Sequence, residues 1–521
     1  MGRKKSRSPA AQQAHVVSNN HGPIGPPRFD KYSKLIKRFY EHLLVLYEYD
    51  SVRGEHTAEN PEPGLGRFLD DLAFLCEYEK GGNACTAIGV QDSEELFIFW
   101  VAANFDSRKK IVPFLERLLK EFANLSPASS AATSDHEHRL KDLCINYARL
   151  KIKALKDLLL RATSDCHSRT QNPIFALWRE QFNSCPSDVA VCELAYRLRN
   201  SDEIKTIEVM AQEPTYIKSS AERKSPFGQV RHYVGRLAHY VRVVRRLIHD
   251  IHSVAVRDLI TNPFRVEAVP LATCVDLPRP DNLTTLDGIC TRMLEANDPF
   301  LDQLKREFAN RNIVEKIMAH YENFKTPRVH AEIQVLDFFH INGIRWARDD
   351  RYVGCSKAAC FCCQRYFRHH PARPKEPQSH QKVWPMWGPM LLKSRSEDAR
   401  YVEQRDILNS IINDIRRELI DQIKAGHGRH SWHEDTRTDI TRSTADAKVE
   451  HSRRFSLRLG DVRIDSSDGQ DDPSNTDSET ISSEQHIFDV EPVSTDIEHE
   501  GSYSSDTSTD EDYDSDGGAL L

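Results

Sequence analysis

The chain of 521 residues predicts an α+β protein: an all-α N-terminal region, a C-terminal region of mixed strands and helices, and a disordered acidic tail. Three observations predict it. Apolar residues recur at helical spacing in one segment after another through 29–262. The best strand candidate, 264–277, is rich in Val and opens the second region. Residues 465–521 then carry 18 acidic residues and no Lys or Arg, a composition that cannot bury a core. The chain is too long for one compact core. Its 39% hydrophobic and 29% charged content fits folded regions diluted by solvated ones.

Residues 1–28 are basic, polar and Pro-rich, and are expected to be disordered. From Asp30 to Glu48, Leu35, Phe39, Leu43 and Leu46 share one helical face. Helical patterns follow at 66–79, 93–105 ("SEELFIFWVAANF") and 109–125. The stretch 126–138, "SPASSAATSDHEH", reads as a linker. A long helix over 139–162 comes next, then one near 187–200 with Ser187 as its cap. The helix predicted at 228–260 has an apolar face of Val230, Val234, Leu237, Val241, Val244, Ile248 and Ile251. Its other face carries Arg231, Arg236, Arg242, Arg245, Arg246 and His249, either a solvated face or a phosphate contact. No repeat of fixed period is present.

The second region, 263–425, opens with the strand at 264–277, broken by Pro270, and helices near 283–296 and 299–323. A helix at 331–341 is closed by Asn342-Gly343. A strand at 351–355, a helix at 359–369, a strand at 380–387 and a long helix at 397–424 complete it. Disorder is expected over 426–521.

Composition also limits the setting. The twelve cysteines mostly stand singly in apolar helical contexts, the pattern of buried small hydrophobes rather than a disulfide framework. No run of about 18 apolar residues exists, so no transmembrane helix is expected. An intracellular protein, cytoplasmic or nuclear, follows. The formal charge of −7 leaves residues 1–464 at about +11 once the tail is set aside, a split that fits either nucleic-acid binding or an ordinary acidic tail. The start, "MGRKKS", fits a myristoylation signal, a basic N-terminus or a weak nuclear signal.

One cluster carries chemistry. "HAE", His330-Ala331-Glu332, opens the 331–341 helix, and residues 355–363 read "CSKAACFCC", with Cys360 and Cys363 in CxxC spacing at the next helix start. Either motif alone is common by chance; both in order, within 34 residues and on a helix–strand–helix pattern, are not. One His and two thiolates suit Zn²⁺ in three tetrahedral positions, with a fourth left for water. Hydrolytic deamination needs that donor set plus a carboxylate that is not a ligand and shuttles protons, here Glu332. A rival assignment takes Cys355 as a fourth ligand with His330, Cys360 and Cys363, closing the site as structural zinc.

His330-Ala331-Glu332 followed by Ser356-x-x-x-Cys360-x-x-Cys363 resembles the zinc-dependent cytidine deaminase-like superfamily. The wording "VHAEIQVLDFF" then "YVGCSKAACFCC" resembles the fungal deaminase-like family of the Orientia (OTT) type, over about 265–425 and most specifically 329–368. The resemblance implies a three-layer α/β/α deaminase domain, zinc as cofactor and Glu332 as proton shuttle. Two departures stand out: Ala359 replaces the usual Pro, and the β-hairpin expected ahead of the HxE helix is not legible.

Ser356, Lys357, Trp384 and Trp387 are candidate substrate contacts, the two indoles as stacking surfaces or as core. Arg345, Arg348, Arg351, Arg365 and Arg368 make the motif region basic, against Asp349-Asp350. The expected activity is therefore zinc-dependent deamination of cytosine or adenine, first in single-stranded nucleic acid and next in a free nucleoside or nucleotide. The contrasting expectation is a non-catalytic scaffold with structural zinc. Oligomeric state is not legible.

Overall fold

The computed structural model describes residues 30–49, 64–82, 84–125, 130–212, 225–323 and 326–425. The expected disorder at both termini and the "MGRKKS" signal lie outside the described residues. Among the described residues, no helix is long and apolar enough to cross a membrane. All twelve cysteines are free thiols.

The first β-structure lies where helix was expected. β1 (Thr86–Asp92) and β2 (Phe97–Ala103) form an antiparallel hairpin in register Ile88↔Val101. The segment 97–103, "FIFWVAA", is an apolar run whose period does not separate strand from helix, because a strand covered on both faces shows no polar alternation. Its aromatic and β-branched content favours the strand. β3 (Phe264–Ala268) pairs with β2 in parallel, and β4 (Gly354–Cys355) pairs with β1 antiparallel, giving the order β3-β2-β1-β4. The N-terminal region is therefore not all-α. It supplies the two central strands of a sheet whose edges come from beyond residue 263.

Side chains alternate across this sheet. Ile88, Val90, Phe99, Val101 and Ala103 join one apolar core with α2 (Leu65–Cys76) and α3 (Ile111–Ala123). Ala87, Trp100 and Ala102 face a second core built around α14 (Ala331–Ile341). Gly89 is required there: a Cβ at this position would lie 2.7 Å from Val335 Cγ1. On the opposite face Asp70 of α2 accepts hydrogen bonds from the Tyr352 hydroxyl at 2.7 Å and the Cys355 amide at 2.9 Å, tying α2 to β4.

The first core continues into seven helices: α4 (Ser130–Tyr147), α5 (Arg149–Thr170), α6 (Pro173–Asn183), α7 (Asp188–Leu198), α8 (Asp202–Gln212), α9 (Pro226–Asp250) and α10 (Val254–Thr261). Residues 130–138, expected as linker, are the first turns of α4. Ser187 caps α7 as its position predicts, accepting from the Ala190 amide at 3.1 Å. The basic side of α9 is solvated only in part, at Arg245 and His249. Arg231 and Arg236 are buried, and the pairs Arg231–Glu208, Arg245–Glu137 and Arg246–Asp71 hold the helix among its neighbours. Burying such guanidiniums is tolerable only with carboxylates beside them.

The second core gathers α1 (Lys31–Tyr49), α11 (Leu286–Met293), α12 (Leu301–Asn310), α13 (Ile313–Glu322), α14, α15 (Phe361–His369) and α16 (Tyr401–Ala425). Strand structure ends at Ala268, short of the expected 277. Residues 380–387 form only an isolated bridge, at Trp387.

Candidate active site

Two helix N-termini converge on the site. His330 is the N-cap residue of α14 in extended conformation (φ −68°, ψ 152°), and Cys360 is the N-cap residue of α15. His330 makes no side-chain cap hydrogen bond; an amide in the first turn is taken instead by Asn104, whose Oδ1 accepts from the Ala331 N–H at 2.9 Å. Asn104 immediately follows β2 and donates its own amide to the Gly82 carbonyl at 2.7 Å. Gln334, buried one turn on, donates to the carbonyls of Ala103 at 3.2 Å and Val329 at 2.9 Å. The end of the hairpin thus fixes where the histidine stands.

On α15, Cys360 Sγ accepts from the Cys363 amide at 3.5 Å, turning both sulfurs to one side. His330 Nδ1 lies 3.7 Å from Cys360 Sγ and 3.4 Å from Cys363 Sγ. Metal bonds of about 2.0–2.1 Å to nitrogen and 2.3 Å to sulfur at a tetrahedral angle put N and S about 3.6 Å apart. The observed distances bracket that value, so the trio fits a tetrahedral ion. Cys355 is not part of it: it lies in the pocket wall, its Sγ 3.5 Å from the Val353 carbonyl. Cys362 is wholly buried in the second core.

The two sulfurs differ electrostatically. Burial works against ionisation of Cys360, but hydrogen bonding from Cys363 and the charge of His330 bring its thiol down to about 6. Burial, then the neighbouring Cys360 and Glu332, push the Cys363 thiol well up. Glu332, in the first turn of α14, lines the pocket, and its charge is part of what raises the Cys363 thiol.

That pocket is walled by Cys85, Thr86, Asn104, His330, Glu332 and Ser356, with Cys355, Lys357, Ala358, Cys360, His380 and Trp384 completing it. Ser356 is fixed to the start of β1: its N–H donates to the Thr86 carbonyl at 2.9 Å and its hydroxyl accepts from the Thr86 amide at 3.1 Å. Lys357 Nζ stands 3.8 Å from Glu77, which also holds Lys151 of α5 at 3.3 Å. Of the two candidate indoles, Trp384 lines the pocket and Trp387 does not. Trp387 is fully buried behind the sulfurs, with its Nε1 3.1 Å from Cys363 Sγ. Cys85, Thr86 and Asn104 carry no signal in the sequence, since they stand more than 220 residues ahead of the motif they join. His380, inside the segment whose pattern predicts a strand, likewise carries no sequence signal of a pocket residue.

A second group, His340, His370 and Glu403, also brings ligand-type atoms together. There, however, His370 Nδ1 accepts the Ala372 amide at 3.2 Å, which leaves the hydrogen on Nε2, facing Asp337 at 3.4 Å. With His340 bonded to Glu403 at 3.0 Å, the group is a polar clamp between α14, α15 and α16 rather than a metal site.

Among known proteins, the model of a deaminase family, described as OTT_1508-like deaminase, matches residues 329–390. No curated protein and no solved structure matches the chain. The matched span holds His330, Glu332, Cys360, Cys363 and Trp384, and it supports a deaminase function.

Proposed function

We propose that the protein is a zinc-dependent hydrolytic deaminase of an amino-substituted nucleobase, cytosine or adenine. The carrying observation is the set of three donors at tetrahedral spacing with a non-ligand carboxylate, Glu332, beside them and open to a pocket. His330, Cys360 and Cys363 would hold the ion, which supplies the Lewis acidity that makes water nucleophilic near neutral pH. A structural zinc site has no use for a pocket-facing carboxylate, and the described residues bring no fourth ligand into the group.

Glu332 has two jobs in this reading. It takes a proton from the attacking water as the new C–O bond forms at the amino-bearing carbon. It passes that proton to the ring nitrogen, then moves the second water proton from the new hydroxyl to the amine, so the C–N bond breaks with loss of ammonia as the hydroxyl becomes a carbonyl. The positive ends of α14 and α15 face the same point and favour the negative charge that develops there. Trp384 offers a ring face to the base, and Lys357 a cation to a phosphate. Around the sheet, helices pack on both faces, which supports the three-layer arrangement that the resemblance implies.

The substrate test is ammonia release from cytidine, adenosine, single-stranded DNA and single-stranded RNA by the zinc-loaded full chain. Release from one of the polymers supports nucleic acid as substrate, and release from the nucleosides alone moves the assignment to free nucleosides. No release from any of them would count against catalysis.

A further inference from the structure

We propose that Trp387 is a positioning residue of the metal centre, which donates the hydrogen bond that orients and electronically tunes the Cys363 thiolate. The inference rests on the metal-site reading above and deepens it.

A wholly buried indole must place its N–H on an acceptor or lose the full cost of desolvating it. The acceptor here is a sulfur, Cys363 Sγ at 3.1 Å. The ring has little freedom to turn away. Phe39 of α1 packs at 5.4 Å between centroids, and Tyr366 of α15 at 6.1 Å. The two sulfurs thus have different donors: the Cys363 amide for Cys360, and the Trp387 indole for Cys363.

The same short segment also holds the histidine. The Arg328 amide donates to the Met386 carbonyl at 2.8 Å, and the Gly388 amide to the Arg328 carbonyl at 3.0 Å, two residues before His330. Residues 386–388 therefore clamp the approach to His330 by backbone bonds and reach Cys363 through the indole. Trp387 sets the separation between the nitrogen and the second sulfur. A donor on a thiolate also withdraws charge from it, leaving a bound metal more electrophilic.

Trp387→Phe keeps the aromatic packing and removes the N–H. Zinc affinity, measured by chelator competition on the full chain, should fall about 10- to 100-fold. With cobalt in place of zinc, the sulfur-to-metal charge-transfer band should move to lower energy, because the sulfur becomes more electron-rich. A purely packing role would leave that band in place. In the wild-type protein, one of the six indole N–H signals should be split by a spin-half cadmium isotope bound at the site. Unchanged affinity and band in Trp387→Phe would overturn the proposal, as would an unsplit set of indole signals if the variant does not fold. Failure of the wild-type chain to bind any of the three metals would instead remove the metal-site reading and this inference with it.

Discussion

Asn104 and Ala331, 227 residues apart, are joined by a 2.9 Å hydrogen bond from the Ala331 amide to the Asn104 side-chain oxygen. It makes the end of the β1–β2 hairpin the foundation of the helix that presents His330 and Glu332. A helix start left without its acceptor costs about 1 kcal/mol. Asn104→Ala should therefore lower the urea-unfolding free energy by about that much and weaken zinc binding as well. Asn104→Asp keeps the acceptor for Ala331 but loses the donor to the Gly82 carbonyl, and should recover only part of the stability. Equal unfolding midpoints for Asn104→Ala and wild type would remove this role.

The approach of α2 to β4 is as demanding. A Cβ at Gly354 would lie 2.4 Å from Leu69 Cβ and 2.5 Å from the Leu69 carbonyl carbon, and backbone cannot step aside. Gly354→Ala should cost about 1–3 kcal/mol through overpacking. It should also displace β4, and with it Ser356 in the pocket wall. The check is thermal unfolding; an unchanged midpoint would show that α2 shifts freely.

Acid should unfold the protein partly through His42. It is wholly buried on α1; its Nδ1 lies 2.7 Å from the Arg38 carbonyl, and Arg416 Nε lies 3.4 Å from its Nε2. Burial, then the Arg416 charge, lower its pKa from 6.5 to about 3. Between those values the unfolded chain binds more protons than the folded one, so stability is complete above about pH 6.5 and falls as pH drops toward 3. His42→Phe should flatten the stability profile in that window, measured by urea unfolding at several pH values. An unaltered slope would mean that the acid limb belongs to other groups.

Much of the chemistry was legible in the sequence, and much of the scaffold was not. The HAE and CxxC motifs are local, and each sits at a helix start, where spacing alone limits where side chains can point. The boundaries of α14 follow the predicted 331–341 because an apolar helix and its Asn342-Gly343 stop are local as well. The hairpin is not legible in the sequence for two physical reasons. Its second strand is apolar on both faces, which erases the period-2 signal, and the chain runs through eleven further helices before reaching the histidine it supports. Trp387 shows the same limit: its sequence neighbourhood allows a stacking surface or a core residue, and only the fold turns its N–H onto a sulfur. The arginines of α9 looked like a surface because their carboxylate partners, Glu208, Glu137 and Asp71, come from distant segments.

The central claim is that Glu332 moves protons beside an ion held by His330, Cys360 and Cys363. Its most direct test measures zinc content and ammonia release together for wild type and Glu332→Ala, on whichever substrate the wild-type protein turns over. The account predicts one zinc per chain in both proteins and a turnover lower by about 10²–10⁴ in the variant, the usual worth of a positioned acid–base group. Wild-type turnover in Glu332→Ala, or loss of its zinc, would contradict it.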